Sequence, residues 1–190
     1  MNGTTGMDEP TLAERCRQGD NTARRMLYEL YAGRLLSICK RYTGDRAAAE
    51  DLLHDTFIKA YGAIGKFVYR GKGSLRAWLE RIAVNTSVEY LRSRARMRLS
   101  PLDDRRPLPD YDEPSGEEAA QVPVAELMRM VGELPAGYRT VFNLFCVEGF
   151  SHREIARMLG INEKSSSSQL TRAKAALAAK IKEYLEKNRA

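Results

Sequence analysis

The sequence is poor in the residues that build metal and redox sites. It holds two histidines, His54 and His152, and three cysteines, Cys16, Cys39 and Cys146. The cysteines are far apart, odd in number and form no Cys-x-x-Cys pair, which argues against a zinc site. They read instead as buried free thiols in a reducing compartment. Apolar runs are short, and none approaches the roughly 20 residues of a membrane span. The opening "MNGTTGMDEP" lacks the basic start and apolar core of a signal peptide. A soluble, cytoplasmic protein is expected. Strand signals are nearly absent. So are a Gly-x-x-x-x-Gly-Lys loop and any carboxylate cluster suited to a metal, which disfavours an enzyme acting on nucleic acid. No cofactor, no metal and no catalytic residue is expected.

What the chain does have is charge and helical periodicity. Across 190 residues, 31 Lys and Arg stand against 25 Asp and Glu, a net charge of +6 that favours an anionic partner. The patterning predicts a short helix over 12–18, stopped by Gly19. A second runs from a cap at Asp20 or Asn21 to about 42, with Leu27, Leu30, Tyr31, Leu35, Ile38 and Tyr42 as its apolar stripe. Asp45 caps a third, on which Leu53, Phe57, Ala60 and Ile64 share one face. A glycine-punctuated loop, "GKFVYRGKGS", leads to a fourth helix over 75–96. Leu75, Leu79, Ile82 and Thr86 form its inward stripe, with Trp78 beside them.

From 100 to 123 the character changes. "SPLDDRRPLPDYDEPSGEEAAQVP" holds five of the seven prolines and seven acidic residues, a composition that reads as an extended or disordered acidic linker. Beyond it, helices are expected over 124–133 and 138–147. Then "SHRE" forms a capping box, in which Ser151 and Glu154 satisfy each other's backbone amides. The helix over 151–159 is closed by Gly160, and Asn162 caps another from Glu163. With Ala156 at the crossing, and Ile155, Leu159, Ile161 and Leu170 as shared core, the arrangement is that of a helix-turn-helix, whose second helix offers its N-terminal side chains to the major groove. The plainer alternative is an ordinary helical hairpin. The run Ser165, Ser166, Ser167 and Ser168 then sits at the tip of the reading helix, where short hydroxyl side chains let backbone approach phosphate. Lys164, Gln169, Arg172 and Lys174 are candidates for further phosphate or base contacts.

The fourth helix carries a basic face. Arg81, Asn85, Arg92 and Arg96 recur at steps of four, seven and four, with Arg94 and Arg98 near its end. Phe67, Tyr69, Tyr61 and Trp78 surround the preceding loop. Basic residues interleaved with aromatics suit a single strand, whose bases stack on rings or enter pockets. The competing reading makes Phe67 and Trp78 core anchors, favoured for Trp78, and the arginines a solvated face.

At these residues the chain resembles a known family. "AEDLLHDTFIKAY", "SLRAWLERIAVNTSVEYLRSRAR" and "LPAGYRTVFNLFCVEGFSHREIARMLGINEKSSSSQLTRAKAAL" look like the extracytoplasmic-function (ECF) sigma factors of bacterial RNA polymerase. The resemblance implies an all-α protein of two small helical domains. A tail over 1–10 would precede sigma domain two at 11–99, with the linker at 100–123 and sigma domain four at 124–190. It implies as partners core RNA polymerase, promoter DNA as duplex and melted strand, and an anti-sigma factor. Glu50, Asp51, His54, Asp55 and Lys59 would face the polymerase clamp. The loop from Lys66 through Phe67, Tyr69, Arg70 and Lys72 to Ser74 would capture a flipped base of the minus-ten element, with Asn85 near that pocket. Arg76, Arg81 and Arg92 would hold phosphates. Ser151, Lys164, the four serines, Gln169 and Arg172 would meet the minus-thirty-five element, while the opposite side of that domain meets the polymerase flap. The linker would thread the polymerase cleft, as a mimic of nucleic acid or as a plain spacer.

One stretch departs from the family pattern. Relatives commonly read "EGTVKSRLSRAR" where this chain has "EKSSSSQLTRAK". Ser166 replaces an apolar residue that seats the helix, Ser167 a lysine that faces DNA, and Gln169 an arginine. The rival to a sigma factor is a stand-alone helix-turn-helix regulator that binds duplex as a dimer. It leaves the aromatic loop and the basic helix unexplained.

Overall fold

The computed structural model describes residues 7–97 and 110–188; residues 1–6 of the N-terminal tail, the side chains of Arg94 and Arg96, and Arg98, Asp103 and Asp104 lie outside them. Every regular element among the described residues is helical. None of the described helices is long and apolar enough to cross a membrane. The chain divides into two compact units, the first made of residues 1–40 and 45–90, the second of 41–44 and 91–190.

The first unit begins earlier than its apolar pattern indicates. Helix α1 spans Glu9–Arg17, started by the Asp8 carboxylate, which accepts from the Thr11 amide at 3.0 Å. Its inward face is Leu12, Ala13 and Cys16. Asp20 caps α2 (Asn21–Thr43), accepting from the amides of Thr22 and Ala23. Within the α2 stripe Leu27, Leu35 and Ile38 are buried, whereas Leu30 points to solvent. Asp45 caps α3 (Arg46–Ala63) through the Ala48 amide at 2.8 Å, and Leu53, Phe57, Ala60 and Ile64 are all buried as their spacing requires. Helix α4 (Ser74–Met97) turns Leu75, Leu79, Ala83, Thr86 and Val88 inward. Each fully buried Leu or Phe in such a core contributes about 1.5–3 kcal/mol relative to exposure. Cys16 and Cys39 are buried thiols as expected. Cys146, in the second unit, is exposed, because its position falls on the outer side of its helical turn.

The second unit starts before the expected boundary at 124. Short α5 (Gly116–Ala120) is held by a complete capping box between Ser115 and Glu118. Val122 then joins the core of Met130, Val131, Leu134, Ala173, Leu177, Ile181 and Leu185. The described half of the acidic stretch is therefore folded against its own domain. The rest of the expected linker, residues 100–109, lies outside the described residues. Helix α6 (Val124–Gly132) is stopped at the turn into α7 (Ala136–Phe142), where the Arg139 guanidinium donates to the carbonyls of Gly132 and Leu134. A π-helical turn, Asn143–Val147, completes α7. Helices α8 (His152–Leu159) and α9 (Glu163–Lys187) follow.

Candidate nucleic-acid interface

In the second unit, α8 and α9 meet through a tight turn at Gly160, whose φ of 70° lies in the left-handed region. The Gly160 and Ile161 amides both donate to the Ala156 carbonyl, closing α8. Ser151 and Glu154 make the capping box read from the sequence, so the Ser151 hydroxyl is exposed but already bonded to Glu154. Asn162 accepts from the Ser165 amide at 2.6 Å and starts α9. Ile155 and Ala156 are buried; Leu159 and Ile161 are half-buried. This is a helix-turn-helix with the free end of α9 as its tip.

The tip does not present all of the expected residues. Lys164 and Ser167 are exposed, and Ser165 and Ser168 are half-exposed. Ser166, by contrast, is 0% exposed, and its hydroxyl lies 2.9 Å from Nδ1 of His152. Gln169, at 3% exposure, and Arg172, at 8%, are buried as well. These three are corrections: 166, 169, 170 and 173 form the inner side of α9 at helical spacing, so 166, 169 and 172 follow Leu170 and Ala173 toward the core. The Gln169 side-chain oxygen has no hydrogen-bond partner there. Arg172 instead lines a groove between α9 and residues 110–118, with Tyr111, Glu113 and Tyr138. Lys174, on the face shared by Ser167 and Thr171, is paired with Glu113 at 2.9 Å. That ion pair and the Tyr111 hydroxyl hold the Glu113 carboxyl below the usual carboxylate range, with the Lys174 bond the largest cause.

In the first unit the loop 66–74 separates two kinds of aromatic. Phe67 is 6% exposed and packs on Trp78, ring centroids 5.4 Å apart, so it anchors the loop and offers no face to a base. Tyr69, two residues on, is 44% exposed, and Val68, Arg70 and Lys72 beside it are exposed too. Tyr61 is tied inward through its hydroxyl to the Arg24 carbonyl. The Ser74 hydroxyl is spent within the loop, accepting from the Arg70 amide at 3.2 Å. Gly71 and Gly73 have φ values of 120° and 90°, which side chains rarely adopt, so the turn into α4 depends on both.

The outer face of α4 carries Arg81 and Asn85, both exposed, and Arg92, half-exposed. Arg81 is seven residues past Ser74, about 10 Å along the helix from the loop's end. Arg76 shares Glu80 with Arg34, at 3.8 Å in its own case, so this trio keeps a net positive charge. Glu89 interrupts the basic stripe but is neutralised by Lys59 of α3 at 2.6 Å. Lys59 therefore braces α3 to α4. Glu50 is likewise paired, with Arg46 at 2.8 Å. Asp51, His54 and Asp55 remain on one exposed face of α3, and with them stands Ile58, 69% exposed. Sequence reasoning missed Ile58, although it falls outside the buried stripe of 53, 57, 60 and 64. The described residues contain no cluster of His, Cys, Asp and Glu able to hold a metal.

Comparison with known proteins matches stretches of both units to patterns of one family. Residues 27–97 match the pattern "Sigma-70 region 2" and residues 125–177 match "Sigma-70, region 4". The chain is similar to the ECF RNA polymerase sigma-E factor of Haemophilus influenzae, with 30% identity over 92% of this chain and 96% of that protein. It is similar also to the RNA polymerase sigma-H factor of Pseudomonas aeruginosa, with 29% identity over 91% and 93% of the two chains. Among solved structures, the sigma factor RpoE of Bartonella quintana, crystallised with the anti-sigma factor NepR, matches at 23% identity over 87% and 98%, with a TM-score of 0.47. The chain belongs to the extracytoplasmic-function sigma factors of bacterial RNA polymerase.

Proposed function

We propose that the two units divide the work of a sigma factor between them. The protein binds core RNA polymerase, directs it to promoters and promotes strand opening. In our reading the first unit, from residue 9, meets the clamp through Asp51, His54, Asp55 and Ile58, the apolar side chain supplying contact area amid acids that set orientation. The loop 66–74 takes a base extruded from the minus-ten element, with Tyr69 as stacking surface and Asn85 as hydrogen-bonding partner. Lys66, Arg70, Lys72, Arg76, Arg81 and Arg92 hold the backbone phosphates. The second unit reads the minus-thirty-five duplex through Lys164, Ser165, Ser167 and Ser168, with the α8 cap at Ser151 against the phosphates.

The observation that carries this reading is the split within the loop: Phe67 and Ser74 are committed to holding it, while Tyr69, Arg70 and Lys72 are left free to meet a ligand. A rigid frame with an exposed ring and cations is what capture of an unstacked base requires, since unstacking costs a few kcal/mol per base and must be offset by new contacts. The protein performs no bond chemistry of its own. It works where core polymerase is, in the cytoplasm, and an anti-sigma factor is its expected regulator.

The test uses core polymerase and a promoter that the protein transcribes in vitro. Alanines at Tyr69, Arg70 and Lys72 together, or Asn85→Ala alone, are expected to lower the yield of open complex in permanganate footprinting while leaving core affinity unchanged. Normal opening in both variants would overturn the assignment of this loop.

A further inference from the structure

The loop 66–74 is fastened at both ends by α1, a helix that precedes residues 27–97, the stretch matching the Sigma-70 region 2 pattern. At its far end the Glu9 carboxylate accepts from the Gly73 amide, at 3.0 and 2.9 Å to its two oxygens, and from the Leu75 amide at 3.4 Å. At its near end the Arg17 guanidinium donates to the Phe67 carbonyl at 3.2 Å. The two clasps sit at opposite ends of one helix, Glu9 in its first turn and Arg17 in its last.

The Glu9 clasp is the stronger. Gly73 immediately precedes α4 and Leu75 lies in its first turn, where the amides have no intrahelical partner and lie at the positive end of the helix dipole. Helices are ordinarily capped by a side chain local in sequence. Here the Ser74 hydroxyl is turned back to the Arg70 amide, and the acceptor comes from 64 residues upstream. Gly71, between the two clasps, and Gly73, in the second, both take up positive φ, so the free segment 68–72 is short, and its aim is fixed by where its ends are held.

We infer that Glu9 is a positioning residue for strand opening: through the Gly73 and Leu75 amides it sets the pose in which Tyr69, Arg70 and Lys72 meet an extruded base. The inference rests on the reading of loop 66–74 as the base-capturing segment. Glu9 itself touches no DNA. Its effect is on how well the loop tells one base from another, because a loop held in one pose discriminates and a loop sampling several does not.

The experiment uses full-length protein with core polymerase and single-stranded oligonucleotides of a minus-ten element that it transcribes, each position carrying all four bases in turn. Glu9→Ala is expected to lower affinity for the preferred strand about tenfold, as loss of charge-assisted hydrogen bonds does. It is also expected to compress the ratio between preferred and other bases, with core affinity unchanged. Glu9→Gln, which keeps one acceptor oxygen and the side chain's shape, falls between. In a Tyr69→Ala, Arg70→Ala, Lys72→Ala background, Glu9→Ala adds no further loss, since it acts through those residues. An unchanged base ratio in both Glu9 variants, or losses that add to those of the loop variant, would overturn the positioning role. If the loop variant alone binds the strand normally, the reading of the loop falls first, and the Glu9 inference with it.

Discussion

Nδ1 of His152, at the start of α8, and the hydroxyl of Ser166, inside α9, lie 2.9 Å apart and tie the two helices of the helix-turn-helix together. Phe145 stacks on the same imidazole, centroids 4.6 Å apart. The buried Ser166 hydroxyl is therefore held by a hydrogen bond across the two helices. Ser166→Ala is expected to cost about 1 kcal/mol, read as a lower thermal midpoint. Ser166→Lys, which would strengthen duplex binding if this position faced DNA, is expected instead to destabilise by about 3 kcal/mol or more, because it buries a charge without a partner.

Phe67 and Tyr69 are two residues apart and have opposite duties. Phe67→Ala removes a buried ring from against Trp78 and is expected to cost about 3–5 kcal/mol, seen by calorimetry. Tyr69→Ala is expected to leave stability within about 0.5 kcal/mol while lowering open-complex yield. The reverse pattern would mean that the rings had been assigned the wrong way round.

Ser167 is the one exposed position of the serine run, Ser165 and Ser168 being half-buried and Ser166 buried. Ser167→Lys, which places a cation on this exposed position, is expected to add one phosphate contact. The log–log salt slope of duplex binding would then steepen by about 0.9. Lys164→Ala is expected to flatten it by a similar amount. Filter binding of the holoenzyme across a salt series measures both.

Glu113 and Lys174 pin residues 110–113 to the outer face of α9. Because the Glu113 carboxyl is held below its ordinary value, the tie is fully present above the usual carboxylate range. It is lost as pH falls through that lowered value. Hydrogen exchange at residues 111–115 is expected to be slow at neutral pH, and to quicken in acid, at high salt and in Glu113→Gln. Exchange in that variant equal to the wild type would show that the capping box of α5 alone holds the segment.

Most helix boundaries were legible because their causes are local. Asp45, Asn162, the Ser151–Glu154 box and Gly160 do in the structure what their spacing announces. The inner side of the α9 tip was harder. Serine has no hydropathy to declare which way it faces, yet counting back from Leu170, Ala173 and Leu177 in helical steps places Ser166 inside. The second capping box, Ser115 to Glu118, was equally visible in sequence but lay within a stretch whose acidity and prolines read as tether. Composition there outweighed one buried Val122 that joins the strap to the core. The Glu9 clasp has no sequence signal, since nothing local links a first-turn glutamate to amides more than sixty residues away.

Two helical units of one chain direct core polymerase to promoters and open them. Core RNA polymerase lacking any sigma factor, supplied with this protein and genomic DNA fragments from its own organism, measures this directly through the 5′ ends of the transcripts made. The expected result is a small set of sharp start sites sharing two upstream elements, lost with the Tyr69, Arg70 and Lys72 alanines. Start sites scattered as with core polymerase alone, or duplex binding that neither needs nor recruits polymerase, would contradict it.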